Sequence, residues 1–400
     1  MPTQMNLFQT EQLGRLYAVH GQLTNQELYE HLATANQVNR TALASTQPVG
    51  RAGKPYNLGK RQVRWLQQTL RQLQLLEKVP GARGAWRLTH QGQQEFAGRA
   101  GNGIMRLVFS TAWGMAIWAD CMDVFPRLNE DIALLLCSPP YPLAVPRAYG
   151  NPTEAEFVDY VCRFVEPIVR QLVPGGSICI NLSNDIFLRK LPARSLYQER
   201  LAIALADRFM LQKMDTLIWA SGSKPPGPTR WASGTRQQLN TGYETILWFT
   251  NDPARCKSSN LRVLEPHTEA HKRLMAAGGE RRSASYSDGA HRIKPGDFGR
   301  PTDGRIPRNV LAIGHRDADN IAMNRYARTQ GLPTHGAPMP LALADKLVRF
   351  MTEPGDLVVD THAGRLTTGK AAEINGRRWI CTEREADYLK CARVRFALTV

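Results

Sequence analysis

The sequence predicts an α/β protein built on a doubly wound, mostly parallel sheet, preceded by a smaller α+β module. Three observations carry that prediction. An apolar run, Ile132–Cys137, lies behind the acidic patch Asn129-Glu130-Asp131 and ends in Ser138-Pro139-Pro140-Tyr141. The stretch 355–383 parses as strand, glycine-containing turn, helix, turn, strand and acid, which is a βαβ unit. The first hundred residues show helical rather than alternating apolar spacing.

In chain order, Thr10–His20, Thr24–Thr34 and Lys60–Lys78 carry that helical spacing, and Thr24 with Glu27 forms a capping box. Trp86-Arg-Leu-Thr-His-Gln reads as a short strand, the wing of a winged helix-turn-helix. The third helix presents Lys60, Arg61, Arg64 and Arg71 with Trp65. This suits a groove or phosphate contact, or equally the basic solvated face of a structural or dimerising appendage. The loop Thr46–Gly59, rich in Gly, Pro and cations, reads as a contacting arm.

The run Ile132–Cys137 has the length and continuous hydrophobicity of a parallel strand buried on both faces. Two prolines then stop the strand and stiffen its exit. A hydroxyl, a carbonyl and an aromatic ring are thereby fixed at the strand's carboxyl end, the edge where open α/β sheets place ligands. The set suits a planar base with an exocyclic amino group: oxygens accept its N–H hydrogens while the ring stacks on its face. Such an amine is a poor nucleophile because its lone pair is delocalised. Hydrogen bonds to the Ser138 hydroxyl and the Pro139 carbonyl favour a tetrahedral nitrogen whose lone pair can meet an electrophilic methyl group. No residue stands out as a dedicated base, so the proton is expected to leave to water.

In the βαβ unit, Gly364 permits close backbone approach to a cofactor, and Glu383 is placed to accept hydrogen bonds from ribose hydroxyls. Between the two constellations, Ser221–Trp231 is a proline-rich loop after the strand Thr216–Ala220, carrying Lys224, Arg230 and Trp231. It reads as a wall beside a flipped base or as a rigid lid. Asn240–Glu244 leads into a further strand, Thr245–Thr250. Residues 252–308 are loop-rich and basic, with the runs Lys272-Arg273 and Arg281-Arg282; the Gly-rich part 276–304 is either disordered or an insert that folds onto nucleic acid.

Composition agrees with a polyanionic partner. The 400 residues include 51 Lys+Arg against 35 Asp+Glu, a formal charge of +16, which favours counterion-releasing phosphate contacts and steering. No apolar stretch approaches the roughly 18 residues of a membrane span, and the N-terminus lacks the pattern of a signal peptide. A cytoplasmic, nucleoid-associated protein of bacterial or phage type is expected. Seven cysteines form no Cys-x-x-Cys pair and read as reduced core thiols; the nine histidines are scattered, so no metal site is expected. The absence of a Pro-Cys dipeptide counts against carbon-5 cytosine methylation.

Taken together the motifs resemble β-class DNA amino-methyltransferases, which use S-adenosyl-L-methionine to methylate cytosine N4 or adenine N6. Asp360, Gly364, Thr367, Thr368, Gly369, Ala371, Ala372, Gly376, Arg377, Arg378 and Glu383 match that family's cofactor motif. Ala119-Asp120-Cys121-Met122 is similar to the segment that opens such domains, and His335 through Pro338 to Leu347 is similar to the segment closing over the methionine part of the cofactor. Three departures stand out: Thr361-His362 for Pro-Phe, Arg365 for a small residue and Leu366 for glycine. The resemblance, over about residues 108–400, implies a class I, Rossmann-like methyltransferase fold and double-stranded DNA as substrate. Ser138, Pro139, Pro140 and Tyr141 would be catalytic, and Asp120, His335, Pro338, Asp360, Gly364, Thr367, Thr368 and Glu383 would hold the cofactor. DNA contacts are expected from Lys60, Arg61, Arg64, Lys224, Arg230, Trp231, Lys272, Arg273, Arg281 and Arg282. The expected division is a winged-helix-like module at 1–105, a catalytic half at 108–251, a target-recognition insert at 252–308 and a cofactor half at 309–400. Ser at the first tetrapeptide position favours cytosine N4 over adenine N6. A catalytically degenerate DNA-binding regulator, and methylation of RNA or protein glutamine, are the competing readings. Dimers occur in the family, so a homodimer is an expectation; neither a partner endonuclease nor a recognition sequence is written in the chain.

Overall fold

A computed structural model describes residues 7–34, 46–49, 54–96, 103, 105–143, 151–315, 317–336 and 338–396. The chain divides into two compact units. The first comprises Met1–Met105 with Trp118–Asp120 and Arg384–Asp387. Its N-terminal part runs α1 (Leu7–His20), β1 (Gln22–Thr24), α2 (Asn25–Thr34), a hairpin of β2 (Gln47–Val49) and β3 (Lys54–Tyr56), α3 (Leu58–Gln72), β4 (Leu76–Lys78), β5 (Ala85–Leu88) and α4 (His90–Phe96). β5 pairs antiparallel with both β1 and β4. Leu13, Tyr17, Leu28, Val63, Leu70 and Leu76 form the core over this sheet. The buried amide of Gln67 donates to the Tyr17 hydroxyl (2.7 Å) and the Asn25 side chain (2.9 Å), which satisfies three polar groups inside that core.

The capping box at α2 forms as the spacing implies: the Thr24 N–H donates to Glu27 and the Glu27 N–H to the Thr24 hydroxyl. Asn57 caps α3 by accepting the Lys60 N–H at 2.8 Å. The helix expected to reach Lys78 ends at Gln72. Gln74 adopts a left-handed backbone (φ 60°), and residues 76–78 leave to pair with β5. The apolar spacing of a short strand after a helix was indistinguishable from one more helical turn. Part of the loop 46–59 lies outside the described residues; the described part forms the β2–β3 hairpin.

The second unit comprises Arg106–Ile117, Cys121–Glu383 and Tyr388–Val400. Its strands, apart from the end residues Met105, Trp118 and Ala119 that fall in the first unit, are β6 (Met105–Ser110), β7 (Gly114–Ala119), β8 (Ile132–Cys137), β9 (Leu172–Ser183), β10 (Gln212–Ala220), β11 (Tyr243–Thr250), β14 (Val310–Ala312), β15 (Leu357–Asp360) and β16 (Arg378–Glu383), while β12 (Ala284–Tyr286) and β13 (His291–Ile293) pair in a separate hairpin. They form one sheet in the order β14-β10-β11-β9-β8-β15-β16-β7-β6. From β14 to β16 every strand runs the same way except β11, which is antiparallel to both neighbours. All six residues of β8 and all four of β15 are buried, as central parallel strands require.

Strand periodicity places helices on both faces. A single turn, α5 (Cys121–Val124), follows β7. In β9, Ile178, Ile180 and Leu182 join the cluster with Phe157, Val161, Phe164, Val165 and Ile168 of α6 (Glu154–Val169) and Tyr197, Leu201 and Leu205 of α7 (Tyr197–Phe209). Thr153 and Glu156 form a capping box that starts α6. The later helices are α8 (Glu269–Ala276), α9 (Ala318–Thr329), α10 (Leu341–Met351), α11 (Thr367–Ile374), which is the helix of the βαβ unit, and α12 (Ala386–Ala392). Cys179 of β9 points away from α6 and meets Met351 of α10. At the turn inside β9, Gly175 has φ +79°, and a Cβ there would lie 1.8 Å from the Arg255 carbonyl oxygen.

The region 252–308 is ordered chain. It contains α8 and a hairpin of β12 (Ala284–Tyr286) and β13 (His291–Ile293). Backbone bonds between Glu280, Gly296 and Asp297 close its base. Glu265 bridges Arg305 and Lys346, each at 2.7 Å, and so ties the insert to α10. Within the Gly-rich part 276–304, local turns and the short ladder of β12 and β13 supply the backbone bonds, which composition does not record.

Leu135 is fully buried in β8 and pairs with Val359 and Ile178 on either side. Leu135→Ala is expected to destabilise the second unit by about 3 kcal/mol, read as a lower urea midpoint; a change under about 0.5 kcal/mol would contradict a close-packed centre.

Candidate active site

Parallel alignment brings the carboxyl ends of β8, β9, β10, β14, β15 and β16 to one rim, and antiparallel β11 begins there. Ser138 and Tyr141 leave β8 at this rim. The Ser138 Oγ and Tyr141 hydroxyl are 2.7 Å apart. Asn181 of β9 donates from Nδ2 to the Tyr141 hydroxyl (2.9 Å) and to Glu244 Oε2 (2.9 Å), and lies 3.4 Å from Ser138 Oγ. Glu244, near the start of β11, is also approached by the Tyr141 hydroxyl (3.5 Å) and paired with Lys224 Nζ (3.2 Å). The carboxylate fixes the Asn181 orientation, because only the amide nitrogen can donate to it. Asn151 donates to the Tyr141 carbonyl at 2.6 Å and braces the tetrapeptide from outside.

Lys224 and Glu244 are mostly enclosed, their side chains 15% and 11% exposed. Next to them, His315 follows β14; its Nδ1 is 2.6 Å from Ser221 Oγ and its ring lies 4.3 Å from Trp219. Burial pulls the His315 imidazole below its usual range, against the raising effect of Glu244.

The other constellation sits at the ends of the next two strands. Asp360 closes β15 and Glu383 closes β16. The Gly364 N–H donates to Glu383 Oε2 at 2.7 Å. Gly364 has φ +51°, and a Cβ there would come within 2.9 Å of His335 Nε2. His335 therefore meets the glycine of the cofactor motif, with its ring 4.8 Å from Tyr388. An acid at a strand end, a left-handed glycine and a histidine converge on one turn, the residue set that the resemblance implies for the cofactor; only a glycine lets the His335 ring and the backbone of this turn come so close. Pro338 is half-buried in the same segment. Asp360 accepts the His362 N–H at 3.0 Å, and burial raises its carboxyl to about 7 despite a hydrogen bond from Thr368. Thr368 Oγ1 also lies 3.4 Å from the Leu136 carbonyl oxygen, and Thr367 accepts from Arg395. Asp120 is paired with Arg384 at 3.1 Å.

Two of the three departures are accommodated, while the buried guanidinium of Arg365 has no hydrogen-bond partner among the described residues. His362 keeps an aromatic role, edge-on to Phe164 at 4.8 Å, with its nitrogens held by Tyr160 and Thr361. Leu366 adopts the left-handed conformation (φ 58°) that its position demands, at a cost of about 1 kcal/mol. The buried Arg365 side chain lies beside Cys391, and its carbonyl accepts from Arg395.

Among the expected DNA contacts, Arg61 and Arg64 are exposed on α3, while Lys60 lies over the Tyr29 ring and Arg64 reaches the Tyr29 hydroxyl. Lys272, Arg273, Arg281 and Arg282 are exposed on the insert, Lys272 paired with Glu269. Arg230 is exposed and its guanidinium covers the Trp231 ring at 4.5 Å. Two expected contacts sit differently. Trp231 is only 8% exposed, and the charge of Lys224 faces Glu244 rather than solvent. Sequence reasoning missed Asn181, Glu244 and His315. The available signal was a lone amide inside the apolar run of β9 and a lone acid leading an otherwise buried strand, since polar groups in such strands need partners.

The Asp360 carboxyl yields a prediction whose sign is fixed. Its proton is bound in the folded chain at pH values where the unfolded chain has released it, so this stabilisation is complete below about pH 4 and lost as pH rises through about 7. Asp360→Asn removes the titration. Between about pH 5 and pH 7.5 the melting temperature of the parent chain should therefore fall further than that of the variant; parallel curves would contradict the raised carboxyl.

A DNA methylase family profile (N6_N4_Mtase) matches residues 132–394. Type II methyltransferase M.PvuII of Proteus hauseri is 29% identical over 277 residues, 69% of this chain and 81% of that protein. The solved structure of PvuII DNA methyltransferase (cytosine-N4-specific) superposes with a TM-score of 0.56 at 26% identity, covering 73% of this chain and 89% of the other. The solved complex of M1.HpyAVI with SAM (S-adenosylmethionine) is 16% identical, covers 71% of this chain and 100% of that one, and has a TM-score of 0.42. The chain belongs to the DNA methylase family, the S-adenosylmethionine-dependent methyltransferases of cytosine N4 and adenine N6.

Proposed function

We propose that this chain methylates N4 of cytosine in duplex DNA, on a nucleotide turned out of the helix. The observation that carries the reading is the shared rim: the amine-gripping set at Ser138–Tyr141, the turn at Gly364 and the acid Glu383 follow or close three consecutive strands of one sheet, β8, β15 and β16. The cytosine preference is supported by Ser138 and by the likeness to M.PvuII, whose structure is described as cytosine-N4-specific.

The cofactor, when bound, supplies an electrophilic methyl group. The chain does the rest by positioning. Ser138 Oγ and the Pro139 carbonyl accept the two N–H hydrogens of the amine and draw its lone pair out of conjugation. Pro140 stiffens the turn. Tyr141, its hydroxyl anchored by Ser138 and Asn181, offers a fixed ring on which the base stacks. Turning the base out costs on the order of a few kcal/mol, offset by stacking and phosphate contacts. Glu383, Gly364, His335 and Asp360 hold the cofactor at the adjoining strand ends, with Pro338, Thr367 and Thr368 in support.

Cations on two surfaces would grip the duplex. The N-terminal module, with helices α1 to α4 and the antiparallel β4–β5 hairpin, is read as winged-helix-like, α3 offering Lys60, Arg61 and Arg64. The insert offers Lys272, Arg273, Arg281 and Arg282, and Arg230 stands on the loop after β10. This division assigns 1–105 to DNA docking, 108–251 to catalysis, 252–308 to target recognition and 309–400 to the cofactor. No described helix is long and apolar enough to cross a membrane. The reading implies action in the cytoplasm at the nucleoid, by a single chain or a homodimer.

Methylome sequencing of a host expressing the chain should show N4-methylcytosine at one short sequence. N6-methyladenine there would move the target base, and no new methylation would sink the reading. Ser138→Ala should lower methyl transfer at least about 100-fold while duplex affinity, measured by fluorescence anisotropy, stays within about twofold. Turnover at the parent rate would remove Ser138 from its role.

A further inference from the structure

Methylation leaves the amine nitrogen with two hydrogens, a methyl group and a positive charge. One proton must go. The sequence offers no obvious acceptor, but the folded site holds a carboxylate that motif reading missed. Glu244 is 9% exposed at the head of β11 and joins a continuous polar chain: Ser138 Oγ to Tyr141 hydroxyl 2.7 Å, Tyr141 hydroxyl to Glu244 Oε2 3.5 Å, Glu244 Oε1 to Lys224 Nζ 3.2 Å. Asn181 cannot pass a proton, but its Nδ2 donates to both Tyr141 and Glu244 and holds them in register. The longest link is one that binding of the base would shorten, since catalytic hydrogen bonds are often loose in a free enzyme.

We propose that Glu244 is the terminal proton acceptor of the reaction, reached from the amine through Ser138 and Tyr141. This rests on the amino-methyltransferase reading. The nitrogen lone pair forms the new N–C bond, and the S–C bonding pair stays on sulfur. The N–H bond then breaks toward Ser138 Oγ, the Ser138 proton moves to the Tyr141 oxygen, and the Tyr141 proton moves to Glu244 Oε2. The net change is one proton moved from nitrogen to carboxylate; Ser138 and Tyr141 end as they began, and no electron changes hands. Lys224 Nζ, 3.2 Å from Glu244 Oε1, loses its ionic partner once the acid forms.

The groups facing Glu244 are Lys224 on the loop after β10, Tyr141 after β8, His315 after β14 and Tyr197 of α7, whose phenol burial pushes up. Of these neighbours, His315 is the other group able to take up a proton, so it needs its own control.

The test is single-turnover methylation of unmethylated genomic duplex DNA across about pH 5.5 to 9, with cofactor affinity by calorimetry and DNA affinity by gel shift. Glu244→Gln should slow transfer on the order of 100-fold at every pH tested, with both affinities within about twofold. Glu244→Asp should recover part of the rate, and His315→Gln should stay within about threefold of the parent. Should Glu244→Gln fold poorly because Lys224 is left unpaired, the double variant Glu244→Gln/Lys224→Met removes both charges and should be as slow as Glu244→Gln. Transfer at the parent rate by either Glu244→Gln chain, or a loss in His315→Gln as large as that in Glu244→Gln, overturns the proposal. If Ser138→Ala is inactive while Glu244→Gln matches the parent, only the relay falls; if both match the parent, the amino-transfer reading falls with it.

Discussion

The parallel pairing of β8 with β15 is the constraint on which the site depends. Leu135 lies opposite Val359, so chain segments more than two hundred residues apart finish at the same level. Ser138 and Asp360 follow within three residues of that pair. Neither segment could build a site alone, since one holds amine acceptors and the other a backbone cradle and acids. Their register is fixed by burial: a one-residue slip would turn buried Val358 and Val359 to opposite faces and break packing against α6 and α10.

A second constraint acts at the rim. A hydroxyl, a phenol, an amide, a carboxylate and an ammonium sit within a few ångströms of one another, largely out of water. Such a cluster is costly unless each group finds a partner. Here Asn181 and Lys224 both donate to Glu244, and the phenol of Tyr141 is shared by Ser138 and Asn181. The result is stiffness where positioning matters. Lys224 also anchors the loop 221–231 to β11, so the wall carrying Arg230 is held by the same carboxylate.

Much of this was legible in the sequence, for physical reasons that differ by element. β8 was readable because a strand buried on both faces has to be apolar throughout, and the prolines marked its end. The βαβ unit was readable because close backbone approach needs Gly364 and a ribose acceptor needs an acid at a strand end. The third N-terminal helix was overextended because Leu75 and Leu76 continue its apolar spacing, whereas the break rests on the left-handed backbone of Gln74. Asn181, Glu244 and His315 were not legible, since each gains meaning only from neighbours on other strands. Lys224 shows the same limit: a cation in a loop suggests phosphate, while its partner across the sheet makes it part of the pocket.

The central claim is that the amine grip and the cofactor cradle face one space. It is tested most directly by a crystal structure of the chain with S-adenosylhomocysteine, the demethylated cofactor. The account predicts the ribose at Glu383, the chain of the ligand passing Gly364 and His335, and the sulfur turned toward Ser138 and Tyr141. A ligand bound elsewhere, or bound there with its sulfur facing away from the tetrapeptide, would contradict it.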